Sequence, residues 1–325
     1  MTEKLKTALK KIAQIGLPLA LGIIILYFLY NGTNFNSLWS DIQHANWGIL
    51  TLSLIFGLSG NVIRGLRWEL LIKPLGYTPK KSNLIYAVLG NYAINFALPR
   101  AGEIWRCGVI SKDEKIPFQK LIGTLIIDRA FDTLMVIFIL FIAFLSNVAV
   151  FYRNQDLFNL PSFLISPVFY AGCFAFVILI AVIIAFFKDN FIVKKIRAFL
   201  ASMWNDMKIV WRMKEKKLFI AYTFGIWFSY FLYFYVTFFA FGFTANLGIA
   251  AALFIFTLNS ISMGIPSNGG LGPWQAATVL GLCTFMVDNN QARAFATAVF
   301  AFQSIWVVLC GLFGIAALSL KNRKI

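Results

Sequence analysis

Charge is scarce in this sequence, and acid scarcer than base. Of its 325 residues 13% are charged, with 13 Asp and Glu against 29 Lys and Arg. There is one histidine, His44, and there are four cysteines, Cys107, Cys173, Cys283 and Cys310, set far apart in apolar segments. A zinc or haem centre needs clustered imidazole or thiolate ligands, so no metal or other cofactor is expected. The scattered cysteines suit packing rather than a disulfide framework. With 60% hydrophobic residues and so little charge, a soluble domain is excluded and a polytopic membrane protein implied. The net charge of +16 falls between apolar runs, which fits anionic membrane lipid as the partner rather than nucleic acid.

Long hydrophobic runs fill the space that charge leaves. They fall at about 12–30, 47–63, 82–98, 121–150, 163–187, 218–241, 248–265, 268–287 and 293–320, lengths that suit spans of roughly 20 residues. The first is too long for a signal peptide and lacks a small-residue cleavage site, so it reads as a retained span. Excess Lys and Arg mark cytoplasmic loops. By that rule residues 1–11, 64–81, 188–217 and the tail with Lys321, Arg323 and Lys324 are inside, whereas 31–46, without Lys or Arg, is outside. These sides agree only if 82–118 enters from the cytoplasm and returns, and 248–290 enters from the outside and returns. The expected fold is all-α: a polytopic membrane helical bundle with two inverted Pro/Gly-broken hairpins. It forms a single membrane domain over 1–325, with one half at about 12–150 and the other at about 163–320. Re-entrant and fully spanning hairpins both remain open. The linker 188–217 carries Ile192, Ile196, Phe199, Met203, Met207 and Val210 at helical spacing, as an amphipathic helix on the inner leaflet would.

The hairpins hold the candidate chemistry. In the first, an apolar run stops at Pro99, and Arg100, Glu103 and Arg106 follow. Each charge at membrane depth costs about 2.5–3.5 kcal/mol on insertion scales, so it persists where it is paired or lines a polar cavity. Broken backbone there must be buried in protein or face water. In the second, Asn268, Gly269, Gly270 and Gly272 precede Pro273, a good first helical residue, and Gln275. A helix starting there would aim free N–H groups at an anion; close packing through small residues is the alternative. Interrupted segments at matching places in two halves point to a midplane site, against ordinary breaks near the interfaces. Asp128 and Asp132 share a helix face with Arg129 beside them, roughly 12–18 Å deep. A headgroup path and an ion-pair network with Arg100 or Arg106 both fit. Arg64 and Arg67 bring forks suited to phosphate, although at least one is expected to snorkel to the headgroups. The aromatic run Trp227 to Phe241 reads as lipid-facing or interfacial.

In order, Arg64-Gly-Leu-Arg67-Trp68, Leu98-Pro99-Arg100-Ala-Gly102-Glu103 with Arg106, Asp128-Arg129 with Asp132, and Gly269-Gly-Leu-Gly272 resemble the lysylphosphatidylglycerol synthase transmembrane (flippase-like) family. The chain is similar over about 12–320 to the membrane half of the multiple peptide resistance factor. The resemblance implies an all-helical bundle that binds or moves phospholipid headgroups between leaflets of a prokaryotic cytoplasmic membrane, with both termini inside. No aminoacyl transferase domain follows residue 320, so lipid synthesis is not expected. Gln275 stands where the resemblance implies a glutamate. A non-enzymatic lipid transporter is the leading expectation. A membrane-embedded transferase is the alternative, although the upstream acidic motif of such Asp-x-x-x-Asp enzymes is missing. A non-transporting scaffold is the third.

Overall fold

A chain with no water to solvate its backbone must pair every N–H and C=O internally, and each described apolar run accordingly forms helix. The computed structural model describes residues 3–147, 210–211 and 213–322. Numbered in chain order among them, the helices are α1 (Glu3–Tyr30), α2 (Phe35–Gln43), α3 (Trp47–Ile72), α4 (Lys81–Ala97), α5 (Ala101–Asp113), α6 (Phe118–Ser146), α7 (Lys216–Tyr235), α8 (Ile249–Ser262), α9 (Pro273–Thr284) and α10 (Asn289–Asn322). No strand occurs among the described residues. The chain is an all-α membrane helical bundle. The expected span 163–187, Cys173, and all but the last residues of the expected surface helix 188–217 lie outside the described residues.

Among the described residues three stretches are long and apolar enough to cross a bilayer: Trp47–Leu75, Lys216–Ala240 and Asn289–Leu320. The stretch from Gly16 through α2 would make a fourth, but it bends by 99° between Tyr30 and Phe35. Asn34 starts the new direction by accepting from the Asn36 and Ser37 amides, as a short polar side chain at a helix N-cap does.

Met1–Ala143 and Lys217–Ile325 form one compact unit. Its two ends differ in charge. At one end Trp68, Ile72, Leu84, Ile110 and Leu318 share a buried cluster, and Lys73, Lys80, Lys81, Lys112 and Lys115 lie in the segments around it. At the other end, Arg293 donates to Thr33 Oγ1 at 2.8 Å, Tyr30 and Thr297 share a hydroxyl bond of 2.6 Å, and the Asn46 amide reaches Ala240 O at 2.8 Å.

Two folded-back helix pairs fill the middle. α4 and α5 are joined at Pro99-Arg100, where Arg100 takes a left-handed φ of 63°, uncommon for a residue with a Cβ. The returning arm is pinned by the Gly102 amide, which donates to Asn95 Oδ1 at 2.9 Å. Trp105 lies against Gly90. Asn83 Nδ2 donates to Glu114 Oε1 at 2.6 Å and closes the base at the basic end. α8 and α9 fold back in the same way, with Gly281 against Ile255 and Phe254 edge-on to Phe285. That base adjoins the start of α10, at the opposite end.

The tips meet. Asn268 Nδ2 donates to Phe96 O at 3.1 Å, and Arg100 Nη2 donates to Gly264 O at 2.7 Å. If this junction holds the pairs together, Arg100→Ala and Asn268→Ala should each cost about 1 kcal/mol, with coupling in a double-mutant cycle of thermal stability in detergent. Two neutral single variants would mean that the tips part in solution.

Candidate functional site

Seven charged side chains from three helices converge beside the first hairpin. α6 supplies two of the three anions, and α5 the third, Glu103. Asp128 and Asp132 lie one turn apart on the buried face of α6, as side chains four residues apart on a helix do. α3 supplies Arg64 and Arg67, also on one face. Arg67 is completely buried. Its Nη2 donates to Asp128 Oδ1 at 2.6 Å and to Asp132 Oδ1 at 2.8 Å, and its Nη1 to Thr223 Oγ1 at 3.2 Å. Arg64 Nη1 donates to Asp132 Oδ2. α5 brings Arg106, whose Nη2 donates to Asp128 Oδ2 at 3.0 Å while its guanidinium lies 4.7 Å from the Trp68 ring centre, a cation–π distance. Arg129 closes the group, 3.3 Å from Glu103 and 3.5 Å from both aspartates.

Four arginines therefore face three carboxylates, a surplus of one positive charge. Burying such a set costs several kcal/mol per ion, offset only when geometry and hydrogen bonding are good. Asp128 and Asp132 meet that condition. Arg106 does not fully, since its Nε and Nη1 are buried without hydrogen-bond partners, and neither does Arg129, whose Nε is likewise unpartnered. Arg129 and Glu103 form the open edge, their side chains 38% and 29% exposed, whereas those of Arg67 and Arg106 are at zero.

The sequence-predicted residues thus separate into two groups. Arg64, Arg67, Glu103, Arg106, Asp128, Arg129 and Asp132 come together. Neither Arg64 nor Arg67 snorkels; both point inward because α3 turns that face onto α6 and α7, where the carboxylates satisfy them. Arg100 stands apart at the tip junction, bonded to backbone. The N-terminus of α9 is partly closed from within the second hairpin. Gln275 Oε1 accepts from the Gly272 amide at 2.7 Å, Pro273 has no N–H, and the Trp274 amide reaches Gly270 O at 3.0 Å. Gln275 is a cap here, a role that needs an acceptor but no charge. Gly269, Gly270 and Gly272 all have positive φ, which explains the glycines by backbone shape. Asn268 ties the two tips.

Beside the cluster lies a cavity of about 310 Å³ that the sequence reading missed. Its wall is largely aromatic, with Trp227, Tyr230, Phe256 and Trp274 among the rings, and among the described residues no Asp, Glu, Lys, Arg or His lines it. The stretch 227–241 is therefore only partly lipid-facing: Phe228 and Phe239 point outward, but Trp227, Tyr230 and Phe234 point in. Their spacing of three and four residues was the available signal. Tyr230 connects cavity and cluster. It lies close over Gly60, donates to Asn61 Oδ1 at 2.8 Å, accepts from Arg64 Nε at 3.3 Å, and shares a 2.9 Å bond with Tyr92.

A curated relative, the UPF0104 membrane protein MJ1595 of Methanocaldococcus jannaschii, is 33% identical over 90 residues, which spans 27% of this chain and 27% of that protein. No solved structure matches the chain. The family model described as the lysylphosphatidylglycerol synthase TM region matches residues 15–311. With a match of that extent over this bundle of broken hairpins, the chain belongs to the lysylphosphatidylglycerol synthase transmembrane-region family, membrane proteins associated with lipid modification or transport.

Proposed function

We propose that this protein binds an anionic phospholipid or lipid-linked headgroup and carries it between the leaflets of a prokaryotic cytoplasmic membrane, without chemistry of its own. The observation that carries the reading is the unbalanced cluster: four arginines against three carboxylates, with Arg129 at its open edge and guanidinium N–H groups of Arg106 and Arg129 unpartnered. A phosphate supplies the charge and the acceptors such a set lacks. Glu103 and Arg129, being partly exposed, make first contact, and Arg106 stands behind them. The lysine-rich end of the bundle faces the cytoplasm in this reading, which puts both chain termini inside.

Reconstituted vesicles with a headgroup-labelled fluorescent phosphatidylglycerol provide the test. Arg129→Ala should slow leaflet exchange by roughly tenfold or more, as loss of one charge-assisted hydrogen bond does, with little change in melting temperature. Exchange at the wild-type rate in Arg129→Ala would sink the proposal.

A second reading has its own support, because the five innermost ions, Arg64, Arg67, Arg106, Asp128 and Asp132, are paired among themselves. In that reading the cluster is a buried brace and the protein a scaffold. It requires vesicles with the wild-type protein to show no more lipid exchange than protein-free vesicles, and loss of an inner ion such as Asp132 to lower the yield of folded protein.

A further inference from the structure

The aromatic cavity and the charged cluster are neighbours of opposite character, and the difference specifies what each can hold. Rings alone would suggest a cage for an ammonium group. Two observations argue against a cation. Among the described residues no carboxylate lines the cavity, and the Arg64 guanidinium stands 5.6 Å from the centre of the Tyr230 ring, which forms part of its wall. The surplus positive charge behind it repels a second cation.

The polar groups of the lining residues are amides, hydroxyls and two indoles, all uncharged. Tyr230 is fully engaged: its single proton goes to Asn61, and it accepts from Arg64 and Tyr92. Asn259 is 3% exposed. Its Oδ1 is 3.1 Å from Thr278 Oγ1 and its Nδ2 has no partner. If the amide is turned round, Nδ2 faces Thr278 and the oxygen is left alone, so one polar atom is unpaired in either orientation. Trp227 Nε1 is also without a partner. Buried polar groups are normally hydrogen-bonded, so a mostly apolar cavity with these exceptions fits an apolar ligand carrying a neutral oxygen.

We infer that this cavity is a subsite for one hydrocarbon chain of a lipid, with an uncharged oxygen of the chain's glycerol or ester neck at the Asn61, Asn259 and Trp227 wall. The inference rests on the lipid-binding reading above and adds the part of the lipid that the charged cluster cannot recognise. Chain and headgroup are then read by different walls, joined through Tyr230 and Arg64. The cavity also borders the tip junction, through Phe96 and Gly269, so an occupant touches the contact between the two hairpins.

The test uses the full chain in nanodiscs containing a phosphatidylglycerol with a diazirine near the end of one acyl chain. Irradiation should label peptides that contain Trp227–Phe234 and Phe256–Met263. Ser304→Phe and Ser260→Phe, which fill the cavity from α10 and α8, should each cut that labelling roughly tenfold, scored only in a variant that keeps the wild-type melting temperature. Uncharged monooleoylglycerol should compete, and hexadecyltrimethylammonium should compete no better. Labelling confined to outward residues such as Phe224 and Phe228, or competition by the ammonium amphiphile alone, overturns the inference. Blocked labelling with no leaflet exchange in the wild type would keep the subsite and remove the transport proposal; intact exchange with surface labelling alone would do the opposite.

Discussion

Asp128→Ala should abolish accumulation of the folded protein. Asp128 is fully buried and takes hydrogen bonds from Arg67 and Arg106, with Arg64 and Arg129 within 3.7 Å. Its loss leaves four arginines facing two carboxylates, away from water. Removing one partner of a single buried pair costs about 3–5 kcal/mol, and here one carboxylate serves several partners at once. Domain stability is commonly only about 5–15 kcal/mol, so such a loss consumes much of it. Asp128→Asn should be milder, since the amide keeps an acceptor but not the charge. Fluorescence-detected size exclusion and thermal melting in detergent check the order: wild type, then Asn, then Ala. An alanine variant that melts with the wild type would mean that the cluster does not hold the helices.

Gly102→Ala is the second large effect, and it acts through backbone. A Cβ at residue 102 would overlap the carbonyl oxygen of Asn91 on the facing arm. That oxygen belongs to a buried helix and cannot swing aside as a flexible side chain would. The arms of the first hairpin must separate. Forced overpacking costs typically about 1–3 kcal/mol. The same displacement moves Glu103 and Arg106, on the following turn, away from Arg129 and Asp128. Gly102→Ala should therefore lower the melting temperature and also weaken leaflet exchange, although no charge is removed. Gly108→Ala, on the same helix with nothing near its Cβ position, is the control and should be close to neutral. Equal behaviour of the two variants would show that the arms do not pack as described.

Some of this was legible without coordinates. The apolar run lengths give an all-α membrane bundle because lipid admits few other ways to satisfy a backbone. Pro99 and the glycines at 269–272 mark the two breaks for steric reasons that are local to each residue. The spacing of Asp128 and Asp132, and that of Arg64 and Arg67, places each pair on one helix face.

What faces those pairs was not legible. A helix has one sequence but a full circle of neighbours, and only packing decides which meet. Snorkelling was reasonable for Arg64 and Arg67, yet α3 rotates both inward onto α6. Glycines before Pro273 read equally well as an anion site, but Gln275 folds back and occupies the amide. The aromatic stretch of α7 divides between lipid and cavity, a partition that depends on Gly60 allowing Tyr230 to approach α3.

By itself the sequence determined where the chain is helical and where it breaks, because hydropathy and backbone sterics act within a few residues. Only the tertiary structure decided that Arg64, Arg67 and Arg106 meet Asp128 and Asp132 away from water, and that a cavity without charged walls among the described residues opens beside them. Both outcomes depend on how helices distant in the chain are turned toward one another, and that orientation is set by packing across the whole bundle.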